Sequence, residues 1–203
     1  MSEHEDRWVA DALLVIDMQN SFLHPKGALY RAKGAPLIEI EATVNANRRA
    51  IEAAKAAGVP VIFTRQCYRP DYVDAGRQSP KNYPLASDDA LIEGSWDYAI
   101  VDELPVDNAL FVDKPRMDAF YNTSLEVLLR GLSVSRLAIG GVVTNACVET
   151  TTRSAAMRDF DVTVLADCCT TASAADQAAS FAGLTDYGLA RVRDFGLDLF
   201  PAP

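Results

Sequence analysis

The feature that most restricts how this chain can fold is a regular exchange between short apolar runs and segments with helical spacing. The runs ALLVI at 12–16, VPVIFT at 59–64, ALFV at 109–112, RLAIGGVV at 136–143 and VTVLA at 162–166 are too short for helices and lack polar alternation. Each therefore reads as a strand covered on both faces. Between them, Val44, Ile51 and Ala54 mark one helix, closed by Gly58 and Pro60. Leu125, Leu128, Leu129 and Leu132 mark a second, opened by the capping-box spacing of Thr123 and Glu126. Val148, Thr152, Ala155 and Ala156 stripe a third, and Ala174, Ala178, Phe181 and Ala182 a fourth. Right-handed crossovers between successive strands then force a mostly parallel sheet with helices on both faces, a three-layer doubly wound α/β fold. A last strand after Ala190 is only weakly signalled. With 203 residues, no internal repeat and no linker composition, the whole chain 1–203 is expected to form a single domain with residues 1–10 as a flexible tail.

Two stretches break the rhythm. Residues 18–37 and 65–108 are long and punctuated by Pro and Gly, and they carry Phe22, Tyr30, Tyr68, Tyr72, Tyr83, Trp96 and Tyr98. Loops of that length in a compact domain usually serve function or pack against a neighbouring subunit, so they are expected to wall a pocket.

Charge and residue supply exclude several functions. A net charge of −9 repels phosphate backbones and anionic lipid, which argues against nucleic acid and membrane partners. Only two histidines are present, His4 in the tail and His24, so a histidine-rich metal site is not expected. Cys67, Cys147, Cys168 and Cys169 form no C-x-x-C spacing and read as reduced thiols of a cytoplasmic protein. The acidic N-terminus is unlike a signal peptide, and no apolar run approaches the length of a membrane span. Dinucleotide, P-loop, serine-elbow and H-E-x-x-H motifs are missing.

Three polar residues stand where apolar strands end: Asp17 after ALLVI, Lys114 after ALFVD, and Cys147 shortly after LAIGGVV. Open α/β sheets bind ligands at that carboxyl edge. In GGVVTNACVETTTR a helix is expected to start at Thr144 or Asn145, placing Cys147 in its first turn, where free N–H groups favour a thiolate. The N–H groups of Cys147 and of the turn before it, at Val143, would supply an oxyanion hole. A thiol nucleophile needs a proton acceptor. Asp17 can serve, with Lys114 steadying both negative charges; a Cys147–His24 dyad is the rival. Cys67, and Cys168 with Cys169 in a helix-start or loop setting, read as inert.

These pieces resemble the isochorismatase-like cysteine hydrolases. The likeness runs through LLVIDMQNSF at 13–22, VDKPRMDAFYNTSLEVLLR at 112–130 and GGVVTNACVETTTRSAAMRDFDVTVLADCC at 140–169. It implies a catalytic triad of Asp17, Lys114 and Cys147, and a cis peptide between Val142 and Val143 that turns the Val143 N–H toward the oxyanion hole. It also implies Phe120 as a pocket residue, joined by Phe22 and Trp96 from the long loops as substrate-binding walls. No cofactor and no metal are implied: the histidine-bearing metal motif of the family's nicotinamidases is replaced here by TRQCYRPDYV. GSWDYAIVDEL at 94–104, then KPR and FYNT, is similar to ureidoacrylate amidohydrolases and their carbamoyl-cleaving relatives, including N-carbamoylsarcosine amidases, while a glutamine that biuret hydrolases use late in the chain has no clear counterpart. The expectation is a small-molecule amidohydrolase acting on a ureido or carbamoyl compound through a thioester with release of ammonia, in a homo-oligomer such as a dimer or tetramer. An isochorismatase-type vinyl-ether hydrolase and a catalytically idle binding module are the alternatives.

Overall fold

The computed structural model describes residues 8–32, 37–78 and 89–200. Six strands make one sheet: β1 (Ala12–Ile16), β2 (Val61–Gln66), β3 (Leu110–Lys114), β4 (Arg136–Val142), β5 (Asp161–Thr170) and β6 (Arg191–Arg193). Every neighbouring pair is parallel and the order is β3-β2-β1-β4-β5-β6. The chain thus winds outward from β1 to one edge, returns to place β4 against the other side of β1, and winds out again. That reversal opens a crevice at the carboxyl ends of β1 and β4, the ligand position of open α/β sheets.

Successive side chains of a strand point to opposite faces, so a strand covered on both faces must be apolar throughout. Leu13 and Val15 pack with Ala50, Ile51 and Ala54 of a long helix at Ile40–Ala56. Ala12, Leu14 and Ile16 pack on the other face with Leu125 and Leu129 of Leu125–Gly131, Ala155 of Glu149–Ala156 and Leu184 of Ala174–Asp186. With two short helices at Asn20–Leu23 and Ala28–Ala32, the helices are α1 to α6 in chain order. The doubly wound three-layer fold is the one expected.

Local details differ from the expectation in several places. Strand β2 starts and ends two residues later than the apolar run at 59–64, because the Val59 N–H still closes α3 on the Ala54 carbonyl while Arg65 and Gln66 pair with Asp113 and Lys114. Cys168 and Cys169 lie inside β5, not in a loop or helix start. The register shifts so that Val164 faces Ile139 and Cys169 faces Gly141, a bulge after which pairing resumes. The expected capping box does not form: the Thr123 hydroxyl accepts the Leu125 N–H, and Glu126 reaches Arg158 at 2.9 Å instead.

The described parts of the long stretches are knitted together. Gln19 bridges to Ile100 and Tyr68 to Ile92. The buried Asp97 carboxylate accepts the Ala28 N–H at 2.8 Å and the Leu91 N–H at 2.9 Å, tying three segments at one point. Tyr83 lies outside the described residues, as do His4 and residues 1–7 of the expected tail; Trp8 and Ala10 are held by hydrogen bonds to Asp161 and Leu199.

Candidate active site

Asp17 directly follows β1 with φ of 50°, a left-handed conformation that aspartate tolerates better than most residues. Its N–H donates to the Thr64 carbonyl at 3.2 Å, and its own carbonyl accepts the Gln19 N–H at 2.7 Å, which fixes the bend. Gly141, on β4 beside it, has φ of 117°; a Cβ there would stand 2.1 Å from the Ile16 carbonyl oxygen. Only glycine allows β1 and β4 to close at this level.

Lys114 ends β3 and Gln66 ends β2, paired in register. Because β2 lies between β1 and β3, Asp17 and Lys114 meet across the end of β2. The Lys114 ammonium lies 2.6 Å from Asp17 Oδ2 and donates to Gln66 Oε1 and the Arg116 carbonyl, both at 3.0 Å. Asp17 Oδ1 accepts the Thr64 hydroxyl at 2.8 Å. Both charged side chains are fully buried. Burial works against the ammonium, but the Asp17 carboxylate and the Cys147 sulfur beside it more than offset that and hold the Lys114 pKa above the ordinary lysine range.

Cys147 arrives from β4. The Val142–Val143 peptide is cis, and the chain then makes a wide π-helical turn at Thr144–Val148 before entering α5. Neither Thr144 nor Asn145 caps a helix with its side chain. The Thr144 hydroxyl donates to Gln177 Oε1 and Asn145 Oδ1 accepts the Thr171 hydroxyl, both at 2.7 Å, so α6 and the end of β5 clamp the turn. The Val143 carbonyl accepts the N–H groups of Ala146 and Val148, whereas the Val143 N–H finds no partner among the described residues. Cys147 Sγ lies 3.7 Å from Gln66 Oε1.

The expected ionised sulfur is corrected. Burial pushes the Cys147 thiol up to about 12, Lys114 pulls it down and Asp17 pushes it up again. A buried thiol sharing its site with a carboxylate rests protonated, whatever the helix start contributes.

Carboxylate, ammonium and thiol are therefore gathered into one buried cluster from positions 17, 114 and 147. His24 stays apart, its Nδ1 accepting the Lys26 N–H and its ring edge-on to Trp96. Phe120 shares the apolar cluster of Cys147, Phe22 sits in the cluster on the other face, and Trp96 is half exposed. Two glutamines were missed. Gln66 Oε1 faces both the ammonium and the thiol, and its Nε2 donates to the Tyr68 hydroxyl. Buried Gln19 grips the Gln66 backbone with its amide, accepting the N–H at 2.8 Å and donating to the carbonyl at 2.9 Å. Their sequence signal was position: Gln66 ends the strand between those of Asp17 and Lys114. Among the described residues no three His, Cys, Asp or Glu side chains group as metal ligands.

A thiol beside a buried carboxylate and ammonium, at the switch point of a doubly wound parallel sheet and with no imidazole in the cluster, marks the chain as an α/β protein of the kind read from its sequence. The chain belongs to the isochorismatase family, whose domain model matches residues 11–194. It is 38% identical over 76% of its length to the ureidoacrylate amidohydrolase RutB of Methylobacterium radiotolerans, of whose own length it spans 65%. It is similar to the crystal structure of a cysteine hydrolase from Pseudomonas syringae pv. phaseolicola, with a TM-score of 0.82, 31% identity, and coverage of 96% of this chain and 94% of that one. N-carbamoylsarcosine amidase from Thermoplasma acidophilum shares the fold at a TM-score of 0.69 and 24% identity, over 90% of this chain and 95% of that one.

Proposed function

We propose that the chain is a cysteine-dependent amidohydrolase that cleaves small ureido or carbamoyl compounds through a thioester. The observation that carries the reading is the Lys114 ammonium, fully buried, 2.6 Å from the Asp17 carboxylate and next to the Cys147 thiol. Removing an ammonium and a carboxylate from water costs several kcal/mol each, an expense that packing alone does not require. The likeness to ureidoacrylate amidohydrolases supplies the substrate class.

The thiol rests protonated, so attack and proton transfer are coupled. Cys147 Sγ adds to the ureido carbonyl as its proton passes to Asp17. The carbonyl oxygen gains the negative charge and accepts hydrogen bonds from the N–H groups of Val143 and Cys147, with Lys114 offsetting charge across the cluster. Collapse of the adduct breaks the C–N bond, and Asp17 hands its proton to the departing amine. The remaining S-carbamoyl thioester takes up water, which Asp17 deprotonates. The thiol reforms, and the released carbamic acid breaks down to ammonia and carbon dioxide. Phe22, Trp96 and Phe120 are assigned to the substrate-binding walls. The reading includes a cytoplasmic homo-oligomer, dimer or tetramer, in a single domain; the four unpaired cysteines support a reducing compartment.

An ammonia-release screen over ureido acids, carbamoyl amino acids, biuret and nicotinamide tests the substrate class, with a vinyl ether assayed in parallel. Ureido or carbamoyl compounds should turn over and the vinyl ether should not. Cleavage of the vinyl ether alone, or of nothing on the panel, overturns the reading.

A further inference from the structure

Arginines in this acidic chain commonly face a carboxylate: Arg65 grips Asp113, Arg136 grips Asp11 and Arg153 grips Glu149. Arg116 does not. Among the described residues no carboxylate comes within ion-pair distance of it, and its guanidinium makes hydrogen bonds only through Nη1, to the carbonyls of Asp74 at 2.7 Å and Pro115 at 2.6 Å. Those two bonds and Gly76 hold it in place: a Cβ at Gly76, whose φ is +57°, would come within 2.7 Å of Nη2. The result is a half-buried cation, held in place, whose Nε and Nη2 have no acceptor among the described residues. A buried or partly buried charge without a partner is costly, and in a protein of net charge −9 partners are plentiful.

The surroundings say what the cation faces. Arg116 lines a cavity of about 440 Å³ together with Met117, Asp118, Tyr121 and Thr150. Thr150 is one residue into α5 and three residues past Cys147, less than one helical turn. The Arg116 carbonyl accepts from the Lys114 ammonium, and burial pushes the hydroxyl of Tyr68, the partner of Gln66, up to about 12, with the charge of Arg116 working against that in small part. The one acid among the described residues that line the cavity, Asp118, is engaged on both oxygens, by the Phe120 N–H and the Ser154 hydroxyl, each at 2.8 Å. That leaves the guanidinium as the unsatisfied group.

We infer that Arg116 is the specificity-determining residue for the far end of the substrate, binding a carboxylate so that the preferred substrates are ureido acids and not neutral ureas or amides. The inference rests on the amidohydrolase reading and adds to it the charge of the acyl-distal group. Free guanidinium N–H donors on adjacent nitrogens match the two oxygens of a carboxylate, a pairing stronger than a neutral hydrogen bond.

The test compares 3-ureidopropionate with 3-ureidopropionamide, which differ only in that group. Wild-type protein should favour the acid in kcat/KM by about 30-fold or more, mostly through KM, as expected for a charge-assisted bond formed equally in ground and transition states. Arg116→Gln should erase most of that ratio, and Arg116→Lys should keep part of it. Equal losses on acid and amide, or a wild-type ratio near one, overturn the inference and assign Arg116 to clamping the 74–76 segment. Calorimetric binding of both compounds to Cys147→Ala separates the two layers of the argument. Acid-selective binding that Arg116→Gln abolishes, without turnover of any ureido compound by wild type, sustains the anion site and sinks the hydrolase. Should Arg116→Gln fail to fold, the wild-type ratio and Arg116→Lys decide.

Discussion

Cys147 and Cys169 are both 4% exposed, both at carboxyl ends on the same side of the sheet's midline, and both pushed up by burial. They differ in company. Cys147 stands beside an ammonium, a carboxylate and the Gln66 amide oxygen. Cys169 pairs with Gly141 in the ladder, and only the Gly141 N–H works to lower its pKa, against Asp167. Burial therefore does not separate a candidate nucleophile from an inert thiol here. What separates them is a cation close enough to stabilise the sulfur's charge and a carboxylate close enough to take its proton.

The largest effect that can break this contrast is on turnover. Cys147→Ala should cost ~10⁴-fold or more in kcat with thermal unfolding little changed, because a coupled nucleophile carries most of its set's effect. Cys169→Ala should stay within about threefold in kcat and lose about 1–2 kcal/mol of stability as a small buried side chain is truncated. Matching activity losses in an ammonia-release assay would erase the distinction.

Next in size is the ion pair. Asp17→Asn and Lys114→Met should each abolish turnover and each lose about 3–5 kcal/mol in urea unfolding, since a lone buried charge remains. The double variant should recover much of that stability and none of the activity. Additive losses in the double variant would show that the two charges do not depend on one another.

A smaller change comes from the amide oxygen between them. Gln66→Met removes one acceptor from Lys114 and the one facing the thiol, and kcat should fall about tenfold with KM moving less. Gln66→Glu adds a second carboxylate beside the sulfur and should move the pH–rate profile upward. An unshifted profile in both variants would reduce Gln66 to packing.

The smallest is resting reactivity. With its thiol pushed up to about 12, Cys147 should alkylate slowly at neutral pH, and its rate should climb steadily with pH across the alkaline range as the thiolate fraction grows. Lys114→Met should slow it further. Rapid labelling of Cys147 near pH 7, read by peptide mass spectrometry, would mean that the free protein already holds the thiolate.

Much of this was legible in the sequence because it rests on short-range patterns. Continuous apolar runs gave β1 and β4 at their observed starts, and a polar residue after an apolar run gave Asp17 and Lys114. Cys147 followed from its place after β4. The chemistry of the sulfur was not legible: sequence shows the helix start that favours a thiolate, but the greater cost of burial depends on residues 17, 66 and 114 arriving together. Gln66 was hidden because β2 continues past its apolar stretch, held by pairing with β3, and Cys168 and Cys169 were misplaced because a bulge resumes the ladder where polarity suggested it had ended. Phe22, Trp96 and Phe120 came from family likeness alone, and the fold scatters them over two apolar clusters and the surface.

The cluster's three members sit at the ends of β1 and β3 and just beyond β4, each carried by a different strand of the sheet. No contiguous fragment that stops short of residue 147 can hold the set, and strand pairing between distant segments is the slow part of assembling such topologies. Recovery of catalysis after dilution from denaturant should accordingly lag the return of helical signal, which makes turnover a sensitive report of when the central strands have docked.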